Sequence, residues 1–261
     1  MLSYDFMRHA FAAAGIVAIL SGFVGYFLVL RGQAFAGHAL SHVGFAGATG
    51  AVLIGASPLV GMLAVTTIGG ILMGALGEKL AERDIAIGVI LTMSLGLGLL
   101  FLHFFTAYAT QATALLFGDV LGVSLTTIYF LLALSLITLV ILGTISRPLL
   151  FASINPELAE AKGVNLRAYS LIFLGLVGLT TAACAQIVGV LLVFALMVGP
   201  AATAQRLTTR VLPGLILAAA IALIEAWAGI ALSYTTDWPA SFWIATLSGS
   251  TYLAVSAMKG R

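Results

Sequence analysis

Charged residues are scarce in this sequence, since Asp, Glu, Lys and Arg make up only 8% of its 261 residues. Soluble domains carry about 25% charged residues, so this scarcity excludes a chain that faces water on all sides. Hydrophobic residues make up 62% of the chain instead. We therefore expect an all-α, polytopic membrane protein whose helices cross the bilayer several times and contact membrane lipid.

Two further shortages limit the possible functions. The single cysteine, Cys184, allows no disulfide within the chain, and its apolar surroundings favour a small packing residue over a redox thiol. The 11 Lys and Arg residues are scattered between apolar runs, so no nucleic-acid partner is expected. The sequence also contains no Gly-x-x-x-x-Gly-Lys-[Ser/Thr] phosphate loop, which predicts that the chain is not itself an ATPase.

About nine apolar runs along the chain predict membrane-spanning helices. Neither a long linker nor an internal repeat interrupts them, so we expect one transmembrane domain over residues 1–261. The sixth and seventh runs are the least distinct, because few polar residues separate them near residues 184–186. The runs are 9–30, 39–56, 59–77, 85–108, 120–145, 168–183, 187–204, 211–234 and 240–257.

The positions of the basic residues predict the orientation of these spans. If nine spans alternate and the loop with Arg31 is cytoplasmic, ten of the 11 Lys and Arg residues are cytoplasmic and only Arg8 is outside. The N-terminus is then outside the cell and the C-terminus is in the cytoplasm. Eight spans would place some of these charges on the wrong side, so the charge rule favours nine.

One predicted cytoplasmic loop, residues 147–167, carries a full set of signals for a short helix. Asn155 fits the N-cap, Pro156 the first helical position and Gly163 the position after the end. Glu157 has the charge that the N-terminus of a helix favours. A helix of about two turns is not stable alone in water, so it docks either on a partner or on the membrane surface.

Two histidines, His38 and His42, stand four residues apart within an apolar segment. On a helix they share one face, and imidazole readily binds transition metals near neutral pH. Small neighbours such as Gly37 and Gly44 allow a second helix to approach closely. The histidine pair is therefore a candidate metal site inside the membrane. The alternative is that both rings form hydrogen bonds between helices and bind no metal.

Glu225 is the one acidic residue well inside a predicted span. A carboxylate that faced lipid there would be costly, so we expect its side chain to face the interior of the helix bundle. It is a weaker candidate for a metal ligand in the pathway. The alternatives are a proton acceptor and a neutral, hydrogen-bonded packing group.

Several motifs in a fixed order give the chain a family resemblance. They are Gly37-x-Ala39-Leu40-Ser41-His42, the segment 116–123 before the fifth span, Asn155-Pro156-Glu157 through Gly163-Val164, and the segment 188–204. Over nearly the whole chain, this set closely resembles the manganese/zinc/iron-type permeases of ABC transporters.

The resemblance implies partners and a role for the short helix. It implies a homodimer in the bacterial inner membrane, fed by an extracytoplasmic metal-binding protein and energised by a separate cytoplasmic ATP-binding subunit. It also implies that the metal moves along the dimer axis, with no cofactor bound permanently. The short helix would be the coupling helix that seats in a cleft of the ATP-binding subunit. The residues of this contact would be Asn155, Pro156, Glu157, Leu158, Ala159, Glu160 and Gly163.

One departure from the family pattern concerns the transported metal. Many relatives carry Asp where this chain has His38, so an imidazole replaces a hard anionic ligand. That replacement favours zinc as the cargo over manganese or iron.

Two other classes of function are alternatives to an ATP-driven permease. The first is a secondary transporter that is coupled to ions through Glu225, and the coupling-helix segment argues against it. The second is an intramembrane metalloenzyme that uses the histidine pair. The zincin motif has Glu directly after the first His, whereas Ala39 stands there in this chain.

Overall fold

The computed structural model of the chain describes residues 4–76, 80–104, 118 and 120–259. Over these residues the chain is helical, with short turns between helices and no β-strand. All the described α-helices except α6 have at least 15 residues. Their bounds are α1 Asp5–Leu30, α2 Ala34–Leu53, α3 Pro58–Leu76, α4 Leu80–His103, α5 Leu125–Ile154, α6 Pro156–Ala161, α7 Leu166–Val188, α8 Val193–Leu207, α9 Val211–Thr236 and α10 Ala240–Lys259. The all-α class is thus confirmed.

The long helices follow the apolar runs of the sequence, and each overlaps one of them. Among the described residues, six helices are long and apolar enough to cross a membrane, namely α1, α3, α4, α5, α7 and α9. The chain is therefore a multi-pass membrane protein, as its composition indicated. The number of nine crossings stays a prediction, and part of the segment 116–123 lies outside the described residues.

The fifth long helix, α5, has different bounds from the predicted run. It starts at Leu125 rather than near residue 120, because the Ser124 side chain caps it by accepting a hydrogen bond from the Thr127 backbone N–H at 3.2 Å. It then continues to Ile154, so residues 147–154 of the expected loop are helical. Pro148 lies inside this helix and removes one backbone donor, but the fully buried Leu149 keeps the following turn packed on the bundle.

The break between the sixth and seventh predicted spans lies at Gly189, not at residues 184–186. Helix α7 continues past Gln186 because Ile187 and Val188 are buried in the core. Gly189 then has a φ of 83°, which side chains disfavour, and a 3-10 turn over Val190–Leu192 leads into α8. The backbone of Gly118 packs directly on this break, where an added Cβ would collide with it.

This break lies deep in the bundle. Arg31 sits over the ring of Phe173 at 5.6 Å, and Ser21 Oγ lies 2.9 Å from Cys184 Sγ, so α1 and α7 run antiparallel. Gly189 follows Cys184 by five residues. Because the two helices are antiparallel and Cys184 lies beside Ser21, Gly189 is at the depth of the residue five positions before Ser21, close to the middle of α1. Irregular backbone occurs at membrane depth only where protein buries it or where it lines a cavity.

Helix α2 occupies the centre of the bundle. It packs against α1, α3, α4, α7 and α8, and most of its residues are buried. Close contacts at glycines hold its neighbours together. An added Cβ at Gly70 of α3 would meet the Leu174 carbonyl of α7, for example, and one at Gly25 of α1 would meet the Met197 carbonyl of α8. Such close backbone packing is a main source of helix association in lipid.

Candidate metal site and partner surface

The histidine pair interrupts the burial of α2. Along residues 36–49, all of which the structure describes, only His38 and His42 are partly exposed. Their ring centroids lie 4.9 Å apart and the ring planes are nearly perpendicular, at 84°. The i and i+4 spacing thus places both imidazoles on one helix face, as predicted. That face reaches the surface of a single chain, where an ion or a second protein chain can approach it.

Phe194, at the start of α8, covers one side of this pair. Its ring meets the His38 ring edge to face, with centroids 5.6 Å apart and planes at 86°, and its side chain remains 39% exposed. The 3-10 turn that precedes it also contacts α2. No motif in the sequence marked Phe194 as a functional residue, although it is the only aromatic residue in the segment 188–204. The broken backbone at Gly189 and the histidine pair are therefore neighbours in the fold.

Within the part of the chain that the structure describes, the histidine pair does not complete a metal site. Among the residues that the structure describes, no group of three or more His, Cys, Asp or Glu side chains lies close enough to hold an ion. Zinc takes four ligands, and manganese prefers octahedral coordination rich in oxygen. Two imidazoles supply at most part of either shell. The described part of this chain supplies no further His, Cys, Asp or Glu ligand, so an ion held there would need other donors, such as water, backbone carbonyls or groups from a second chain.

Glu225 lies on α9, apart from the histidine pair. Its side chain is 4% exposed, which confirms that it faces the interior, and neither carboxylate oxygen makes a hydrogen bond. It lies beside the hydroxyls of Ser248 and Thr251 on α10. Those hydroxyls donate instead to the carbonyls of Ala195, at 2.9 Å, and Leu247, at 2.7 Å. The structure thus does not bring Glu225 together with His38 and His42 in one metal-binding group.

The start of the predicted coupling helix, α6, has the expected cap. The Asn155 side chain accepts a hydrogen bond from the Leu158 backbone N–H at 3.0 Å, and Pro156 occupies the first turn, where its missing N–H costs nothing. Glu157 follows in the same turn. Because Asn155 directly follows the last residue of α5, Ile154, one residue ends α5 and caps the start of α6.

The end of α6 is closed by a Schellman motif. The Val164 N–H donates to the Ala159 carbonyl at 3.0 Å, and the Gly163 N–H donates to the Glu160 carbonyl at 2.8 Å. Gly163 has a φ of 82°, which this motif requires and which glycine adopts without strain. A helix of six residues thus has capping hydrogen bonds at both ends.

Helix α6 rests on the ends of α5 and α7 and turns most of its surface outward. Ala159 is fully buried, so it holds α6 against the bundle and does not reach a partner. The exposed apolar side chains are Leu158, at 46%, and Ile154, at 73%. Neighbouring exposed apolar side chains favour a protein contact. The other predicted contact residues are all exposed: Asn155, Pro156, Glu157, Leu158, Glu160 and Gly163.

Comparisons with known proteins find relatives over nearly the full chain. A family model, the ABC 3 transport family, matches residues 3–259. The manganese transport system membrane protein MntC of Halalkalibacterium halodurans is 35% identical over 91% of this chain and 82% of its own length. The manganese import system permease protein ScaB of Streptococcus parasanguinis is 26% identical over 90% and 84%. The solved structure of PsaBC from Streptococcus pneumoniae in complex with Fab matches with a TM-score of 0.86 at 25% identity, over 97% of this chain and 91% of that chain.

Proposed function

Because this chain belongs to the ABC 3 transport family and is a permease of a metal ABC transporter in the bacterial inner membrane, we propose that His38 and His42 line its ion pathway. The observation that carries this proposal is the partial exposure of these two imidazoles within residues 36–49, where the rest of α2 is buried. A polar pair at membrane depth has a high desolvation cost, so such pairs are rare and commonly mark a functional site. Family membership argues against a metalloenzyme and against a secondary transporter.

We propose manganese as the first cargo to test. The relatives from Halalkalibacterium halodurans and Streptococcus parasanguinis are manganese transport proteins, and they do not support the preference for zinc drawn from the sequence. Zinc is the second candidate, because two imidazoles suit zinc better than manganese. A pathway site binds its ion only transiently, so an incomplete shell in one chain is compatible with either metal.

The arrangement that we propose in the membrane has nine crossings, with the N-terminus outside and the C-terminus in the cytoplasm. Arg31 donates a hydrogen bond to Ser153 at 3.3 Å, so this basic residue lies at the same end of the bundle as α6. Lys259 donates to the carbonyl of Leu207 at 3.2 Å, which ties α10 to the end of α8. Residues 1–261 then form one transmembrane domain with its basic residues mainly on the cytoplasmic side.

Family membership, together with the exposed face of α6 and the histidine pair, supports three partners for the permease. A second copy of the chain, related by a two-fold axis near α2, would bring four imidazoles to one pathway. An extracytoplasmic metal-binding protein delivers the ion to the opposite side. The ATP-binding subunit receives the exposed face of α6, and closure of that subunit's dimer moves α6 and switches access to the pathway.

The experiment that tests this function is metal uptake into vesicles that contain the permease, its ATP-binding subunit and ATP, with the binding protein added. In the double variant His38→Ala/His42→Ala, the uptake rate should fall at least about tenfold. The variant should still assemble with the ATP-binding subunit. His103→Ala, which changes a histidine next to Phe104 at the end of α4, is the matched control and should keep normal uptake. Normal manganese and zinc uptake by the double variant would reduce the pair to a packing role.

A further inference from the structure

Arg31 lies in the turn that joins α1 to α2, seven residues before His38. This turn is closed by a second Schellman motif, since the Gly32 N–H donates to Val29 and the Gln33 N–H to Leu28, both at 2.9 Å. Gly32 has the required positive φ, 64°. The start of α2 is therefore fixed to the end of α1, and a displacement of this turn displaces the helix that carries the histidine pair.

The guanidinium of Arg31 links this turn to the base of α6. Its Nε donates to Gln33 Oε1 at 3.1 Å, and a terminal nitrogen donates to Ser153 Oγ at 3.3 Å. Its carbon Cζ lies 5.6 Å from the centroid of the Phe173 ring on α7. Ser153 is in the last turn of α5, two residues before the N-cap Asn155, and its hydroxyl donates to the Leu149 carbonyl at 2.6 Å. One side chain thus contacts α5, α7 and the start of α2.

The chemistry of arginine suits this position. Its planar fork holds several acceptors in fixed directions and also stacks on an aromatic ring, which a lysine ammonium does not reproduce. Gln33, which accepts from it, is 2% exposed, so this acceptor is held in the bundle, while Arg31 and Ser153 are half-buried. A cavity of about 840 Å³ borders Arg31, Ser153, Pro156 and Glu160.

We infer that Arg31 is a positioning residue that transmits the displacement of α6 to α2 and thereby to His38 and His42. This inference rests on the proposed roles of α6 and of the histidine pair. To these two roles it adds a specific contact, between the end of the helix bundle proposed to meet the ATP-binding subunit and the helix proposed to hold the metal. When α6 moves, Ser153 moves with it, and Arg31 carries that displacement into the turn before α2.

The test measures metal uptake and ATP hydrolysis together in vesicles that contain the complete complex, with manganese as the probe. Arg31→Lys keeps the charge and removes the planar fork, whereas Ser153→Ala removes the acceptor on α5. We expect each to lower the metal transported per ATP hydrolysed by at least about fivefold, the lower end of typical coupling between sites. Assembly with the ATP-binding subunit and the basal rate of hydrolysis should stay within about twofold of the unmodified complex.

The control is Arg210→Lys, because Arg210 is an exposed arginine at the start of α9. It should leave the transport ratio unchanged. A purely structural role for Arg31 would lower assembly, or lower both rates together, without a change in the ratio. If Arg31→Lys fails to assemble, Ser153→Ala decides the question, because it removes only one hydroxyl.

Two results would overturn the inference in different ways. If Ser153→Ala assembles normally and transports as much metal per ATP as the unmodified complex, Arg31 does not transmit the displacement of α6. The proposed function is then unaffected. An unmodified complex that hydrolyses ATP but moves neither manganese nor zinc removes the proposed function, and the inference with it.

Discussion

Two regions of this chain carry its proposed functions, the short helix α6 and the histidine pair on α2, and their surroundings differ. Both ends of α6 are closed by local hydrogen bonds, from the Asn155 cap at one end and from the Schellman motif at Gly163 at the other. The histidine pair has two imidazoles, one aromatic neighbour and no third metal-ligating side chain among the described residues. The cap and the end of the first region lie within one short segment, whereas a metal site at the second would need ligands beyond those of the described residues.

This difference indicates what each region responds to. A helix with capped ends keeps its shape more readily, so we expect α6 to move as a unit. If the histidine pair binds an ion, we expect the binding to be weak until further ligands are supplied. Under the proposed function, force is then applied at α6 and affinity changes at the histidine pair.

The largest effect should follow from a charge on the exposed face of α6. In Leu158→Asp, a carboxylate replaces an apolar side chain at the proposed contact, and burial of an unpaired charge there costs several kcal/mol. We expect binding of the ATP-binding subunit to weaken at least about 100-fold, by gel filtration or pull-down, with the thermal stability of the isolated permease unchanged.

Lys162→Ala is the control for this experiment, because Lys162 lies at the end of the same helix and outside the predicted contact. It should bind normally. Normal binding of Leu158→Asp would mean that α6 does not face the ATP-binding subunit. The proposed role of α6 would then be wrong.

A second effect should appear in the selectivity of the histidine pair. His38→Asp replaces an imidazole by a hard oxygen ligand, which manganese favours over zinc. The ratio of manganese to zinc uptake should rise about tenfold, equivalent to about 1.4 kcal/mol, in a competition assay with both metals. His103→Asp tests whether a carboxylate elsewhere has the same effect. An unchanged ratio would show that His38 does not touch the ion.

The local features of this protein could be predicted from sequence, and the two regions show why. The cap at Asn155, Pro156 in the first turn and Gly163 after the helix lie within nine residues, and their hydrogen bonds depend on neighbours in the chain. The apolar runs likewise follow from local hydrophobicity. The i and i+4 spacing also placed His38 and His42 on one face without any knowledge of the fold.

The remaining features depend on contacts between distant residues. Phe194 meets His38 across 156 residues of sequence, and nothing in its local sequence predicts that contact. The break was not predicted at Gly189 because glycine is common in this chain, with 29 residues, and the close contact between Gly189 and Gly118 joins residues that are distant in sequence. The choice of metal depends on ligands beyond the histidine pair, and the described residues do not identify them.

A smaller effect should follow from the loss of the α6 cap. Asn155→Ala removes the acceptor for the Leu158 N–H, which typically costs about 1 kcal/mol, so binding of the ATP-binding subunit should weaken about fivefold. Asn155→Ser keeps a capping oxygen and should restore most of the binding. Equal binding by Asn155→Ala and the unmodified chain would indicate that the partner, rather than the cap, orders α6.

The smallest effect should come from Glu225, which belongs to neither region. Its carboxylate is buried between α9 and α10 and lies apart from the histidine pair, so we expect it to act as a neutral packing group. Glu225→Gln keeps its shape and should change manganese uptake by less than about twofold, measured in the same vesicles. Glu225→Ala should lower the thermal stability of the permease, because it leaves a cavity beside Ser248. If Glu225→Gln instead abolishes uptake with normal assembly, the carboxylate takes part in ion or proton movement, and the incomplete site at His38 and His42 extends further into the bundle than the geometry of one chain indicates.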